Sequence, residues 1–154
     1  MKKFRFTLEA VRTLRQRQEQ VALEQYAGAL RARQKALDAL RDAERECTAA
    51  WTLRSERTAS GAPAAHVAQV QEYCAAVESL KKQCNEAVAT AQRVMDHMLE
   101  NLCRARRARE AVDRFYEWQR ERYDRELQRE EQKKLDDLAQ RRAPHATAVA
   151  MIRS

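Results

Sequence analysis

Apolar residues recur along residues 67–123 in alternating steps of three and four. The positions are Val67, Val70, Cys74, Val77, Lys81, Cys84, Val88, Ala91, Met95, Met98, Leu102, Ala105, Arg109, Val112, Tyr116, Gln119 and Tyr123, and fourteen of the 17 are apolar. A 4-3 spacing held over about eight heptads predicts a coiled-coil seam, and a seam requires a partner helix. No proline or glycine interrupts the 77 residues from His66 to Arg142. As one helix that stretch would reach roughly 115 Å.

The partner is predicted within the same chain. Thr7 is a candidate N-cap, and Leu8, Val11 and Leu14 begin a helical face. Leu23, Leu30, Leu37 and Trp51 recur in multiples of seven, with Tyr26, Leu40 and Cys47 at the companion positions. Between Leu14 and Val21 the stripe weakens and shifts phase, which predicts a local change of supercoil winding. Gly28 inside this pattern costs about 1 kcal/mol relative to alanine; close packing against the other helix is the expected reason for it.

One turn is expected in the body of the chain, at Thr58-Ala59-Ser60-Gly61-Ala62-Pro63-Ala64-Ala65. Gly61 can take the left-handed conformation that closes a helix, and Pro63 suits the start of the next. The fold class is therefore all-α, an antiparallel two-helix coiled-coil hairpin whose second helix is the longer. The predicted bounds are helix 1 over about 5–58, a turn at 59–64, helix 2 over about 65–142, and a disordered tail at 143–154 after Pro144. Pairing about residues 61–62 places residue i near residue 123 − i. The first helix is then used up near residues 117–119, and 20–25 residues of the second lack a partner. Along that overhang the apolar stripe thins to Leu127, Leu135 and Leu138. Glu110→Arg114, Glu121→Arg125, Glu130→Lys134 and Asp137→Arg141 supply i,i+4 pairs able to support a solvated helix.

Composition narrows the function. Ala, Glu, Leu, Lys and Arg make up more than half of the 154 residues, with only two glycines and two prolines. This is the bias of a long helix, and no phosphate loop, nucleophile motif or metal-ligand cluster accompanies it. An enzyme is not expected, nor a cofactor, nor a metal. Cys47, Cys74, Cys84 and Cys103 form no CxxC pair, and Cys74 and Cys84 lie on the stripe as small apolar residues. The basic start is not followed by an apolar run, and no stretch of about 18 apolar residues occurs, so neither a secretory signal nor a membrane span is expected. The net charge of +7 divides unevenly: +5 over residues 1–17, −2 over 18–103 and +3 over 104–142, with Arg153 the last unit.

Two stretches resemble a known family. Gln132-Lys133-Lys134-Leu135-Asp136-Asp137-Leu138-Ala139-Gln140-Arg141 resembles the C-terminal signature of the flagellar export protein FliJ. The opening Lys3-Phe4-Arg5-Phe6-Thr7-Leu8-Glu9-Ala10-Val11, with Arg15-Gln16-Arg17-Gln18-Glu19 after it, is similar to the N-terminus of many FliJ proteins. The architectural likeness covers residues 1–142, the specific motifs only about 25 of them. The resemblance implies a non-enzymatic stalk similar to the gamma subunit of rotary ATP synthases. Its open end would enter the hexameric export ATPase FliI and promote assembly and activity, while other contacts reach the export gate protein FlhA and export chaperones. It implies ring-contacting positions at Phe4, Phe6, Leu8, Leu135, Asp136, Leu138, Ala139, Gln140 and Arg141. It also implies a chain monomeric alone, cytoplasmic, and peripheral to the inner face of the cell membrane at the flagellar base.

Other readings compete. The equivalent stalk of a virulence type III injectisome has similar architecture, and a scaffold dimerising by helix exchange would use the same seam. Arg104, Arg106, Arg107 and Arg109 favour a basic coiled coil that binds nucleic acid. Against it, ten acidic residues are interspersed among thirteen basic ones over 104–142, whereas phosphate binding favours a cleaner basic face. His66, His97 and His145 are isolated, and Trp51, Tyr116, Trp118 and Tyr123 read as seam or flanking packing.

Overall fold

A computed structural model describes residues 3–151, with side chains described as far as Arg141. Among these residues there are two α-helices and no strand: α1 spans Glu9–Ala59 and α2 spans Ala64–Met151. The chain divides into two compact units. One is Gln16–Arg106; the other joins the residues up to Arg15 with those from Arg107 onward.

Within Gln16–Arg106, the two helices pack antiparallel as a coiled-coil hairpin. The turn between them is a Schellman motif. The Ala62 amide donates to the Arg57 carbonyl at 3.2 Å and the Gly61 amide to Thr58 at 3.3 Å, with Gly61 at φ +67°. These bonds satisfy carbonyls that the last turn of α1 leaves open. Pro63 stands just before α2, its carbonyl accepting from His66 and Val67. Arg33 donates to Gln92, and the Cys74 thiol donates to the Ala50 carbonyl at 3.4 Å. Both contacts lie within a couple of residues of the expected 123 − i register.

The α2 seam is as expected: every one of its 17 positions from Val67 to Tyr123 is buried or half-buried. The α1 seam differs. Its inward residues are Ala22, Tyr26, Ala29, Arg33, Ala36, Leu40, Ala43, Cys47, Ala50 and Arg54, with an alanine at every seventh position. Ala50 and Ala43 are only 2% and 3% exposed, whereas Leu23 and Leu30 are 46% and 45% exposed. The companion positions Tyr26, Leu40 and Cys47 are placed correctly, but the expected leucine stripe sits one residue past the seam, with Leu23, Leu30 and Trp51 exposed and Leu37 half-buried beside Ala36. The two phases share those companions, so sequence spacing fits both. Packing decides between them: in this register Ala22 and Ala29 come to the level of Leu102 and Met95. A small residue against a large one fills the interface at native density and lets the axes approach.

The expected phase shift between Leu14 and Val21 is absent, because Arg12, Arg15 and Glu19 continue the 4-3 steps and are half-buried. These polar side chains hide the seam from a reading of apolar residues alone. Gly28 is also not explained by close packing, since a Cβ built there meets nothing within 4 Å.

Two ends differ from expectation. Helix α1 begins at Glu9 and not near residue 5, with the Arg12 amide donating to the Leu8 carbonyl at 2.9 Å. Residues 3–6 are non-helical and alternate, Phe4 and Phe6 half-buried and Lys3 and Arg5 exposed. Such period-two alternation belongs to extended chain on an apolar surface. At the other end, α2 continues through Pro144 to Met151. Ala143, Ala146, Ala148 and Ala150 surround that proline with strong helix formers, which offset its penalty. Of the tail expected to be disordered, residues 152–154 lie outside the described residues.

The alanine seam predicts how substitutions sort. Ala43→Leu overpacks the interface and lowers stability by roughly 1–3 kcal/mol. Leu30→Ala costs less than about 1 kcal/mol, because much of the side chain is already in water. Gly28→Ala raises stability by about 1 kcal/mol, since the site is open and helical. Chemical denaturation followed by circular dichroism reads all three; a Leu30→Ala loss exceeding that of Ala43→Leu contradicts the alanine seam.

Candidate partner-binding site

The expected partner-binding positions fall in the unit formed by the residues up to Arg15 and those from Arg107 onward. Phe4 and Phe6 are drawn onto α2 by aromatic contacts. The Phe6 ring meets Tyr116 edge-on at 5.1 Å, and the Phe4 ring lies 5.8 Å from Tyr116 and 5.4 Å from Tyr123. Edge-to-face pairs at these separations are worth about 0.5–1.5 kcal/mol beyond the apolar area they bury. The extended segment before α1 is therefore a strap over the α2 seam.

An ionic cluster anchors the strap where α1 begins. Arg12 Nε donates to Asp113 Oδ1 at 2.8 Å, and Arg109 donates to Oδ2 at 2.5 Å. The Arg12 guanidinium also lies 4.4 Å from the centroid of the Tyr116 ring. The Arg12 hydrogen bond, with Arg109 in support, holds the Asp113 carboxyl below its usual pKa despite partial burial, which acts the other way. At 21% side-chain exposure the carboxylate is largely shielded from solvent, so the pair is worth more than a surface ion pair.

The strap corrects the extent of the overhang. The expectation was that nothing in the chain covers α2 beyond about Gln119. Instead the strap reaches Tyr123, and a groove of about 440 Å³ opens between them, lined by Lys3, Phe4, Arg5, Trp118, Arg122 and Tyr123 among others. Half-burial persists to Leu127, and every residue from Gln128 to Arg141 is exposed.

The nine expected contact residues thus separate into two groups. Phe4 and Phe6 are packed on α2 at the level of Tyr116 and Tyr123, with Leu8 at the edge of solvent. Leu135, Asp136, Leu138, Ala139, Gln140 and Arg141 lie twelve or more residues beyond Tyr123, about 18 Å along the helix. In that second group Leu135 and Leu138 are 61% and 56% exposed, the most exposed of the large apolar side chains among the described residues. Asp136 accepts from Gln132 at 2.9 Å, one helical turn away. No contact joins the two groups among the described residues.

The model of the flagellar FliJ protein family matches residues 4–147. The chain belongs to the FliJ family. No curated protein and no solved structure matches it. FliJ membership places the chain in flagellar type III export, in a family of non-catalytic, stalk- or chaperone-like export proteins. Among the described residues no helix is long and apolar enough to cross a membrane.

Helical geometry also sorts charges that alternate in sequence. Arg122, Arg125 and Arg129 follow one another at steps of three and four and share a face of α2, while Glu117, Asp124 and Glu131, seven apart, share the reverse face with Arg120. The ion pairs described there, Arg120–Asp124 at 3.4 Å and Arg122–Glu126 at 3.2 Å, run base-to-acid, opposite to the pairs expected. A linear tally of acids and bases missed this sorting. Helical projection of residues 110–131 reveals it.

The Asp113 cluster predicts a pH dependence. Because the folded-state pKa is depressed, its stabilisation is complete above the unfolded value near about 3.9 and is lost as pH falls through the folded value. Asp113→Asn should remove roughly 1 kcal/mol of local stability at neutral pH. Hydrogen exchange of the amides of residues 9–15 measures it: faster exchange in the variant at pH 7, with the difference shrinking under strong acid. Equal exchange at pH 7 contradicts the anchoring role.

Proposed function

We propose that this FliJ-family chain is the central coupling stalk of the flagellar export ATPase. Its free α2 segment enters the hexameric ring of FliI, promotes ring assembly and activity, and links the ring to the gate protein FlhA and to export chaperones. It works in the cytoplasm at the inner face of the cell membrane. The observation that carries this reading is the stretch Gln128–Arg141, helical yet exposed throughout, with Leu135 and Leu138 presented to solvent. Both leucines belong to the run that resembles the FliJ C-terminal signature.

The mechanism requires no catalytic group from the stalk. A helix that binds the assembled ring more tightly than free subunits shifts the equilibrium toward the ring. Leu135 and Leu138 supply apolar contacts, and Arg141 can pair with a ring carboxylate in bidentate fashion. Phe4, Phe6 and Leu8 contribute through the strap, which stiffens α2 where it leaves its partner. The injectisome stalk is the alternative assignment, and co-purification against the two types of ATPase separates them.

An assay of the export ATPase with and without this chain tests the proposal. Stimulation is expected. Leu138→Asp should raise the concentration for half-maximal stimulation by about tenfold, as loss of an interface anchor does. Truncation after Glu131 should abolish stimulation while leaving circular dichroism close to that of the intact chain. Normal stimulation by the truncated chain would sink the assignment of this end as the working end.

A further inference from the structure

The face of α2 that bears Arg122, Arg125 and Arg129 begins, one turn earlier, with two large aromatic rings. Phe115 and Trp118 stack with centroids 5.7 Å apart, and the Trp118 ring is 50% exposed. The Arg122 guanidinium lies 5.9 Å from the Trp118 centroid and keeps that ring bordered by positive charge. Arg12, bonded to Asp113, is flanked on α1 by Val11 and Leu14, which are exposed as well. The five α2 positions 115, 118, 122, 125 and 129 repeat at 3-4 steps and span about 21 Å of one helix face. Glu126, at the edge of that face, is already bonded to Arg122.

From this we propose that the Phe115–Arg129 face of α2 docks an acidic amphipathic helix of a partner protein, its apolar anchor against Phe115 and Trp118 and its carboxylates against Arg122, Arg125 and Arg129. The surface lies outside the 135–141 run assigned to the ATPase ring. It does not depend on that assignment. Charge complementarity selects the occupant: guanidinium forks match carboxylates two at a time, and the 3-4 spacing matches carboxylates repeated on a facing helix. Exposed aromatic and arginine side chains together are the composition of interface anchors. A nucleic acid fits less well, because Glu126 stands at the edge of the arginine face and Glu117 and Glu131 on the reverse one, and these carboxylates repel a phosphate backbone that follows the surface.

The test uses a dye-labelled synthetic helix carrying two leucines followed by three glutamates at the same 3-4 spacing, titrated against the full chain. A Trp51→Phe background lets Trp118 report by fluorescence. The expected result is saturable binding with a shifted Trp118 emission. A glutamine analogue of the peptide should bind at least about tenfold more weakly, and the double variant Arg125→Glu, Arg129→Glu should lose binding of the glutamate peptide. Trp118→Ala should weaken it about tenfold, as loss of an aromatic anchor does, with Trp118→Phe restoring most of the affinity. All these side chains are solvent-exposed, and unchanged circular dichroism confirms the fold. Absence of saturable binding overturns the proposal, as does binding indifferent to Trp118 or to charge reversal. Tighter binding of an oligo(dT) strand or of phosphatidylglycerol vesicles, with the same dependence on these residues, overturns it too and transfers the face to that ligand. None of these outcomes bears on ATPase stimulation, which the Glu131 truncation reads separately.

Discussion

An alanine at every seventh position of α1 is the constraint on which the hairpin depends. Five small side chains, Ala22, Ala29, Ala36, Ala43 and Ala50, meet an α2 seam that carries the volume in Val77, Met95, Met98 and Leu102. Alanine contributes little apolar area, so this interface gains more from close approach of the helices than from bulk. The consequence appears at the surface, where Leu23, Leu30, Trp51 and Leu53 of α1 stay exposed.

A repeated alanine is also poor at fixing register, because a slip of one heptad replaces each alanine by another. Polar contacts between the helices supply the missing specificity. Arg33 occupies a seam position and donates to Gln92, and the Tyr73 hydroxyl donates to Glu46 at 3.0 Å on the flank. A polar residue at a core position commonly sets register at some cost in stability. Arg12 with Asp113 does the same in the other unit, and the Gly61 turn fixes the starting phase. The seam therefore supplies adhesion and the polar pairs supply alignment.

This division of labour explains what could be read from the residues alone. The α2 seam was legible because its residues are large, apolar and correctly spaced. The turn was legible because Gly61 and Pro63 have few other uses in so helical a chain. The α1 seam was not. Alanine is both the strongest helix former and an acceptable core residue, so its pattern carries little contrast, while leucine one position later draws the eye. The strap left a signal in the alternation Lys3-Phe4-Arg5-Phe6, a period of two that a helix does not use. Of the candidate contact residues, Leu135 and Leu138 stand exposed as their polar surroundings suggested. Phe4 and Phe6 could be placed only by knowing which rings they meet.

A hairpin held by small residues leaves its large ones outside. Leu23, Leu30 and Trp51 flank the seam, and Trp118, Leu135 and Leu138 stand on α2 where α1 gives out; none is needed to close the fold. In a compact domain such side chains would be core, and a partner could reach them only by unfolding it. Here they are accessible without any rearrangement, and α2 keeps its helix between partners through its own backbone bonds and ion pairs such as Arg120–Asp124. A contact made this way carries no cost of ordering the chain, so its affinity can stay modest and its release fast. That combination suits the coupling role proposed for the chain, in which contacts form and release in turn. It follows from placing alanine where a conventional coiled coil places leucine.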